Sequence, residues 1–556
     1  MGCGSCALAF VALALGACGN GAAASAPPAE HGHGALDAPD ARDATGARNA
    51  EGATDGTPMP AARGAAGEAP STGGAVDGSR ARDPLHGAWN GRLARLVDEY
   101  TALAVRHAKG KLRASDVHVS IHVRDRRSAL DLAFVASDVA RAPASNMKLV
   151  TTAAALVLLG PGTEFRTPFE AAGAIRDGVL EGDLVARASG DPVCGTDGDG
   201  RVEGRFDALC TELAAHGIRR IRGDLVLDEG SFAEPSPAPG WPSADQYWQA
   251  HCALSGGFSV NGGVLQARVD PGRAGGSARV EVRPVPHGLR SNYGVTTVAG
   301  GALDIRIGAS VSTVTVTGRI PAGRPLYTAE FSHPDPVAYF GEVLRGALAR
   351  GGIALDGTLR RERLAPGGEV VAELRSSVDA TLGPINAESR NSVADQLFLA
   401  LGHAVAGAGT REAGAEASRL ALVRLGVDPS GFAQADGSGL SRDNRVTTRQ
   451  LTALIAGVLE RDERTARTFR DSLAVAGRRG TLEDRMRDTP AAGRVHAKTG
   501  WISGVSALSG ICETASGREL VFSILIEYPP SAGGLNTKAF KPLQDDLLTQ
   551  LIEDAP

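Results

Sequence analysis

A short apolar segment in the first third of the chain limits how this sequence can fold. Residues 149–159 are Leu, Val, Thr and Ala only; they follow Pro143-Ala144-Ser145-Asn146-Met147-Lys148 and end at Gly160-Pro161-Gly162. Ala and Leu favour helix, proline fits just upstream of a first turn, and Gly-Pro-Gly cannot extend a helix. The pattern therefore predicts a buried helix that begins at Ser145, with Ser145 and Lys148 three residues apart on one face.

A serine beside a lysine suggests a nucleophile with its base. A hydroxyl is a weak nucleophile until a base takes its proton, and an amine can do so only when it is neutral. Keeping a lysine of reference pKa ~10.4 neutral near pH 7 costs about 4 to 5 kcal/mol, which burial or a second cation can supply. The chain has only six lysines and otherwise uses arginine, which cannot release its proton. Taken alone, however, a helix cap with a structural lysine is the simpler interpretation of so short a pattern.

The length, net charge and cysteine positions of the chain limit the class of protein to which it can belong. A chain of 556 residues exceeds one core, so two or three domains are expected. The formal net charge of -5, with both signs interspersed, gives no basic stripe for nucleic acid. The body's four cysteines are scattered, which predicts no metal site and leaves two alternatives. Cys194 and Cys210 either form a disulfide worth roughly 3 kcal/mol or remain buried thiols.

The N-terminal region predicts export. Residues 7–17 are apolar but too short to span a bilayer, and they end in Leu15-Gly16-Ala17-Cys18. Residues 1–18 resemble a bacterial lipoprotein signal, in which the Cys18 thiol is lipidated and anchors the protein to a membrane. No Lys or Arg precedes the run, and an ordinary cleaved signal peptide is the alternative; both predict a periplasmic or cell-envelope protein. Residues 19–85 lack apolar periodicity and are expected to be a disordered tether.

Alternating segments at both ends of the remaining chain predict one sheet. Residues 117–123 alternate strictly between apolar and polar, and residues 130–135 follow a charged turn, which is typical of a hairpin. Three more strands are predicted over residues 494–499, 505–513 and 518–527. Together they predict an α+β fold with a five-stranded antiparallel sheet and a helical block on its face.

Between these ends the pattern changes. Short β segments with Gly and Pro turns predict inserted β-rich modules, with a helix over residues 336–350. Helical periodicity returns at Val378 and continues to a predicted helix over residues 463–475, while the Gly-rich stretch 436–444 is typical of a loop that lines a site. A final helix is predicted over residues 541–553. The predicted organisation is a signal (1–18), a tether (19–85), the first part of one domain (86–170), the insertion (171–382) and the second part of that domain (383–556).

Two further motifs lie far downstream of the Ser145 helix. Ser389-Arg390-Asn391 falls in a loop of the helical region, and Lys498-Thr499-Gly500 falls on a predicted strand. Their order, their placement and the large insertion resemble the penicillin-binding protein and serine β-lactamase superfamily, which implies a transpeptidase-like domain. The insertion, Asp436-Gly437-Ser438-Gly439-Leu440-Ser441-Arg442 and Ala497 before the third motif resemble the DacB-type D-alanyl-D-alanine carboxypeptidase/endopeptidases, the class C low-molecular-mass penicillin-binding proteins. The similarity runs from about residue 86 to 553.

The resemblance implies a serine-type D-Ala-D-Ala carboxypeptidase/endopeptidase without a cofactor, which acts on peptidoglycan stem peptides and is inhibited by β-lactams; the sequence does not decide between the two activities. It implies that Ser145 attacks the carbonyl between two D-alanines with Lys148 as its base. It further implies that Ser389 relays the proton to the leaving amine and that Asn391 hydrogen-bonds the peptide.

The resemblance also implies that the third motif binds the substrate. Lys498 would attract the terminal carboxylate and help to lower the pKa of Lys148. Thr499 would add a hydroxyl, and Gly500 would let the substrate lie as an extra strand. The backbone N–H of Trp501, with that of the nucleophile, would form the oxyanion hole.

The sequence departs from the family pattern at two places. Ala387-Glu388 and Arg390 replace the usual Lys before the second motif and Asp within it, and Trp501 replaces a small hydroxyl residue. Two alternatives to the carboxypeptidase hypothesis stay open. One is a β-lactamase, since these motifs do not show how efficiently an acyl-enzyme is hydrolysed; the other, favoured by Arg390, is a weakly catalytic penicillin-binding lipoprotein of the cell wall.

Overall fold

The computed structural model describes residues 82–194, 203–285 and 287–554. The predicted signal, Cys18 and the predicted tether up to residue 81 lie outside the described residues. Within the described ranges, no helix combines the length and the apolar character that a membrane crossing requires.

The described residues form helices and strands in alternating blocks. The helices are α1 (His86–His107), α2 (Met147–Leu158), α3 (Glu203–Ala215), α4 (Pro336–Arg350), α5 (Val378–Asn386), α6 (Asn391–Ala406), α7 (Arg411–Arg424), α8 (Thr448–Leu459), α9 (Glu463–Ser472) and α10 (Lys541–Asp554). The strands are β1 (His118–Asp125), β2 (Asp131–Val135), β3 (Glu164–Ala172), β4 (Ile175–Arg176), β5 (Val179–Leu180), β6 (Asp183–Arg187), β7 (Arg220–Ile221), β8 (Leu225–Asp228), β9 (Val264–Asp270), β10 (Arg279–Arg283), β11 (Arg290–Val298), β12 (Asp304–Ala309), β13 (Thr313–Pro321), β14 (Tyr327–Ser332), β15 (Ala354–Leu355), β16 (Leu359–Arg361), β17 (Glu369–Ser377), β18 (Ala474–Val475), β19 (Val495–Ile502), β20 (Val505–Glu513) and β21 (Glu519–Glu527).

One antiparallel sheet joins the two ends of the folded chain. Its strand order is β18-β19-β20-β21-β1-β2, and Ile524 of β21 lies opposite Ile121 of β1. The α+β class and the five predicted strands are confirmed, but the sheet has a sixth strand. The predicted helix over residues 463–475 was too long: α9 ends at Ser472 because Leu473 is extended, and Ala474 then pairs with Ala497.

The sheet is covered on both faces. Ala507, Ile511, Val521 and Leu525 point to the helical block around α2, whereas the alternate residues of the same strands pack with α1 and α10. Every residue of α2 from 147 to 157 is buried, as the sequence predicted. The regular helix begins at Met147 rather than Ser145, because Ala144 has a positive φ of 46° and residues 144–146 form a 3₁₀ turn.

The segment between the two halves contains four further sheets. Their orders are β16-β8-β6-β3-β17, β15-β7-β5-β4, β10-β9-β14 and β11-β13-β12. The predicted helix over residues 336–350 is α4, and the segment also contains α3, whose Phe206 and Leu209 are buried. Cys194, Cys210 and the other two described cysteines are buried free thiols, so the disulfide alternative is wrong. The boundary placed at residue 382 falls inside α5, which packs with α2 and α6.

Candidate active site

The proposed nucleophile lies on a tight turn in front of a buried helix. Ser145 is in the 3₁₀ turn before α2, and the first turn of α2 carries Lys148. The Lys148 side chain is fully buried, and its Nζ lies 3.1 Å from Ser145 Oγ. This distance allows direct proton transfer between the hydroxyl and a neutral amine.

Two other segments hold the amine of Lys148 in place. Lys148 Nζ donates to Asn391 Oδ1 at 2.7 Å and to the backbone carbonyl of Ser438 at 2.6 Å. Burial lowers the pKa of Lys148 to about 8, although the charges of Asp395 and Asp436 act in the opposite direction. The Gly-rich loop predicted to line a site therefore does so through the Ser438 carbonyl.

Two buried carboxyl groups support this loop. Asp395 Oδ1 accepts from the Ser438 N–H at 2.8 Å, while Asp436 accepts from the N–H groups of Gly439 and Ser441, each at 2.7 Å. Burial, and then the neighbouring Asp436 charge, raise the pKa of Asp395. Gly439 has a φ of +84°, and a Cβ there would lie 1.8 Å from the Ala144 carbonyl oxygen. The loop thus packs directly on the turn that carries the nucleophile.

The second motif connects the helical block to the third motif. Ser389 has a positive φ of 64°, and its Oγ accepts from Lys498 Nζ at 2.8 Å. Asn391 Nδ2 donates to the His251 carbonyl at 2.8 Å, which fixes which end of the carboxamide faces Lys148. Arg390 lies beside Glu388 at 3.1 Å and Glu330 at 3.9 Å. Both of these glutamates are substantially exposed.

The third motif lies on β19. Lys498 is fully buried and also donates to the Thr499 carbonyl at 3.0 Å, while Thr499 Oγ1 donates to Thr481 Oγ1 at 2.8 Å. Burial, and then the nearby Lys148 charge, hold the pKa of Lys498 well below its usual value. The short β18 pairs only with residues 496 and 497 of β19. In the described part of the chain, the β19 edge from Lys498 onward therefore has no strand partner.

Gly500 and Trp501 follow on the same strand. A Cβ on Gly500 would lie 2.9 Å from Ala507 Cβ and 3.0 Å from the Pro143 carbonyl oxygen. A glycine at position 500 thus lets the nucleophile turn pack against the sheet. The sequence had suggested a different role for this glycine, namely close approach of the substrate. Trp501 is 54% exposed and hydrogen-bonds Tyr528 through its side chain.

The structure brings distant parts of the sequence together. Three segments more than a hundred residues apart form the contacts of the predicted site: Ser145 with Lys148, Lys148 with Asn391, and Lys498 with Ser389. Thr499, Gly500 and Trp501 follow Lys498 on β19, and Cys18 lies outside the described residues. Sequence reasoning missed Asp395, His251 and Thr481. Of these three residues, only Asp395 has a signal in the sequence, because it is an isolated acidic residue inside an apolar predicted helix.

Comparison with known proteins identifies the family of the chain. The family model described as "D-Ala-D-Ala carboxypeptidase 3 (S13) family" matches residues 101–547. The D-alanyl-D-alanine carboxypeptidase of Actinomadura sp. (strain R39) is 36% identical over 401 residues, which is 69% of this chain and 72% of that protein. D-alanyl-D-alanine carboxypeptidase DacB of Haemophilus influenzae is 25% identical over 405 residues, or 71% of this chain and 82% of that protein.

A solved structure shows the same fold. The crystal structure of penicillin binding protein 4 (dacB) from H. influenzae superposes with a TM-score of 0.65 at 23% identity, covering 80% of this chain and 99% of that one. A complex of that protein with a β-lactam gives a TM-score of 0.61. These matches confirm the family that the three motifs implied. The chain belongs to the D-Ala-D-Ala carboxypeptidase 3 (S13) family and, as a member of it, is a hydrolase of the carboxypeptidase type.

Proposed function

We propose that this chain hydrolyses the terminal D-Ala-D-Ala bond of peptidoglycan stem peptides through an acyl-enzyme on Ser145, and that β-lactams acylate the same oxygen. The observation that carries this proposal is the 3.1 Å contact between Ser145 Oγ and the fully buried Nζ of Lys148. A desolvated amine with a lowered pKa provides the neutral base that a serine nucleophile requires.

The acylation step follows from this geometry. Neutral Lys148 takes the Ser145 proton as Oγ bonds to the carbonyl carbon, and the carbonyl electrons move onto oxygen. The resulting oxyanion would be stabilised by the backbone N–H groups of Ser145 and Trp501, where loss of one donor typically costs about 2.7 to 4 kcal/mol. Collapse then breaks the C–N bond. Ser389 passes its proton to the departing D-alanine nitrogen and is reprotonated at the expense of the proton on Lys148, which returns to the neutral amine. In deacylation Lys148 takes a proton from a water molecule as the water oxygen bonds to the acyl carbon, and it returns that proton to Ser145 Oγ as the ester C–O bond breaks.

Two features support binding of a peptide that ends in a carboxylate. The unpartnered edge of β19 offers backbone groups to an extended peptide, as in strand addition. Lys498 and Thr499 lie on this strand, so the terminal carboxylate would meet an amine and a hydroxyl there. That carboxylate would also favour the protonated form of Lys498.

We also propose that the protein is exported from the cytoplasm. A substrate in the cell wall requires a protein outside the cytoplasm, which agrees with the signal predicted over residues 1–18. We propose lipidation of Cys18 and attachment to a membrane; labelling cells with a palmitate analogue, with Cys18→Ala as the control, tests this. Label that persists in the variant would contradict it.

Release of D-alanine from a pentapeptide tests the central proposal. Wild type should release D-alanine and Ser145→Ala should not, although it should retain the same far-UV circular dichroism. Equal release by both proteins would overturn the proposal. A cross-linked dimer offered as a second substrate tests the endopeptidase activity, which would appear as new free amines.

A labelled β-lactam distinguishes the alternatives. A long-lived adduct on Ser145 supports the carboxypeptidase, whereas rapid turnover without a lasting adduct supports a β-lactamase. A protein that forms no adduct and releases no D-alanine would instead be a non-catalytic member of the family that binds the cell wall.

A further inference from the structure

A basic cavity lies beyond the active site, at the start of β19. It has a volume of about 440 Å³. Its charged and titratable lining residues are Arg470, Arg478, Arg494, His496, Cys512 and Glu513. The acyl-enzyme chemistry uses none of these side chains.

The arginines of this cavity are only partly neutralised. Arg470 donates to Glu519 at 2.6 Å, but Glu519 also pairs with Arg126. Arg494 lies 3.8 Å from the exposed Glu513. Within the described ranges, positive side chains therefore outnumber carboxylates around the cavity.

Two groups in the cavity have no protein partner. The Arg478 side chain is exposed, with no ion pair or hydrogen bond to the residues that the structure describes, and the buried Nδ1 of His496 is unpaired. Arg478 lies flat against Gly493, where a Cβ would be 2.3 Å from its Cζ. Burial, and then the charges of Arg470 and Arg479, lower the pKa of His496. Unpaired polar groups are normally satisfied by a ligand or by solvent, and of these two groups the exposed Arg478 guanidinium is accessible to either.

The donor set favours a particular ligand chemistry. Guanidinium groups present planar, paired N–H donors that match the oxygens of carboxylates and phosphates. A monocarboxylate has two oxygens and one charge, which suits one guanidinium, whereas a cavity lined by three guanidinium groups suits a tetrahedral dianion. We propose that the cavity formed by Arg470, Arg478, Arg494 and His496 binds a phosphate or phosphate ester. This proposal does not depend on the chemistry of Ser145.

Calorimetric titration of the full chain with inorganic phosphate and with pyrophosphate, at fixed ionic strength, tests the proposal. Saturable binding with a Kd below about 1 mM is expected. Arg478→Ala and Arg494→Ala should each weaken it by about tenfold or more. Arg478 is exposed and unpaired in the described structure, so its removal should leave the fold intact; a melting curve checks this.

The matched control is Arg467→Ala. Arg467 is an exposed arginine on the same helix as Arg470, but it lies outside the cavity and pairs with Glu463. Its removal lowers the net charge equally and should not change the affinity. Absence of saturable binding to the wild type, or an equal loss in Arg467→Ala, would overturn the proposal. Saturable binding of acetate with the same affinity would contradict the preference for a dianion.

Discussion

Because only neutral Lys148 can accept the Ser145 proton, the acylation rate should follow the fraction of this amine that is neutral. With its pKa at about 8, roughly one molecule in ten has a neutral Lys148 at pH 7. At the ordinary pKa of 10.5 the fraction would be about one in three thousand, so burial raises the active fraction by roughly 300-fold. The rate should therefore rise about tenfold per pH unit below pH 8 and level off above it.

The assay is the second-order rate constant for adduct formation with a labelled β-lactam, measured from pH 5.5 to 9.5. Ser145→Ala provides the background, and Lys148→Arg provides a cation that cannot lose its proton. We expect Lys148→Arg to form no measurable adduct at any pH in this range. A rate that is constant below pH 8, a rate that falls with rising pH, or an active Lys148→Arg variant would each refute the role of Lys148 as the base.

Three further substitutions test the packing around the site. Gly500→Ala should reduce β-lactam acylation by at least about tenfold, because its Cβ would push against Ala507 and Pro143; Gly533→Ala, with no atom within 4 Å of its Cβ, should match wild type. Asn386→Ala should lower the free energy of unfolding in urea by about 1 to 3 kcal/mol, since the buried amide donates to Thr152 and Ser472, and an unchanged midpoint would contradict this. Arg390→Ala should change D-alanine release by less than about threefold, because its partners are exposed glutamates; loss of activity would show that Arg390 contacts the substrate.

The local parts of the site could be predicted from the sequence, because they depend on neighbours along the chain. The spacing of Ser145 and Lys148 places both on one turn, and the apolar run that follows requires burial. The alternation in β19 to β21 likewise determines which residues face the helical block. The large insertion between the halves of the sheet does not change these patterns, because they depend only on residues close together in the sequence.

Contacts between distant segments could not be predicted in the same way. Nothing near His251 in the sequence indicates that its carbonyl accepts from Asn391, since that contact depends on how the inserted segment folds. The sixth strand, β18, has two residues and no periodicity of its own, so only its pairing with Ala497 defines it. The sequence predicted that the helix begins at Ser145, but it begins at Met147, because the positive φ of Ala144 and the 3₁₀ turn that contains Ser145 are determined by packing.

The two buried lysines of the site differ in their surroundings, and this difference suits them to different tasks. Burial lowers the pKa of both, but Asp395 and Asp436 partly restore that of Lys148, whereas Lys498 gains no such support. An amine whose pKa is near the working pH is a more effective base than one whose pKa is far below it. Asp395→Asn keeps an acceptor for the Ser438 N–H but removes the charge, so the midpoint of the pH–acylation profile should move to lower pH and the plateau rate should fall. A midpoint that stays in place or moves to higher pH would show that Asp395 supports only the loop.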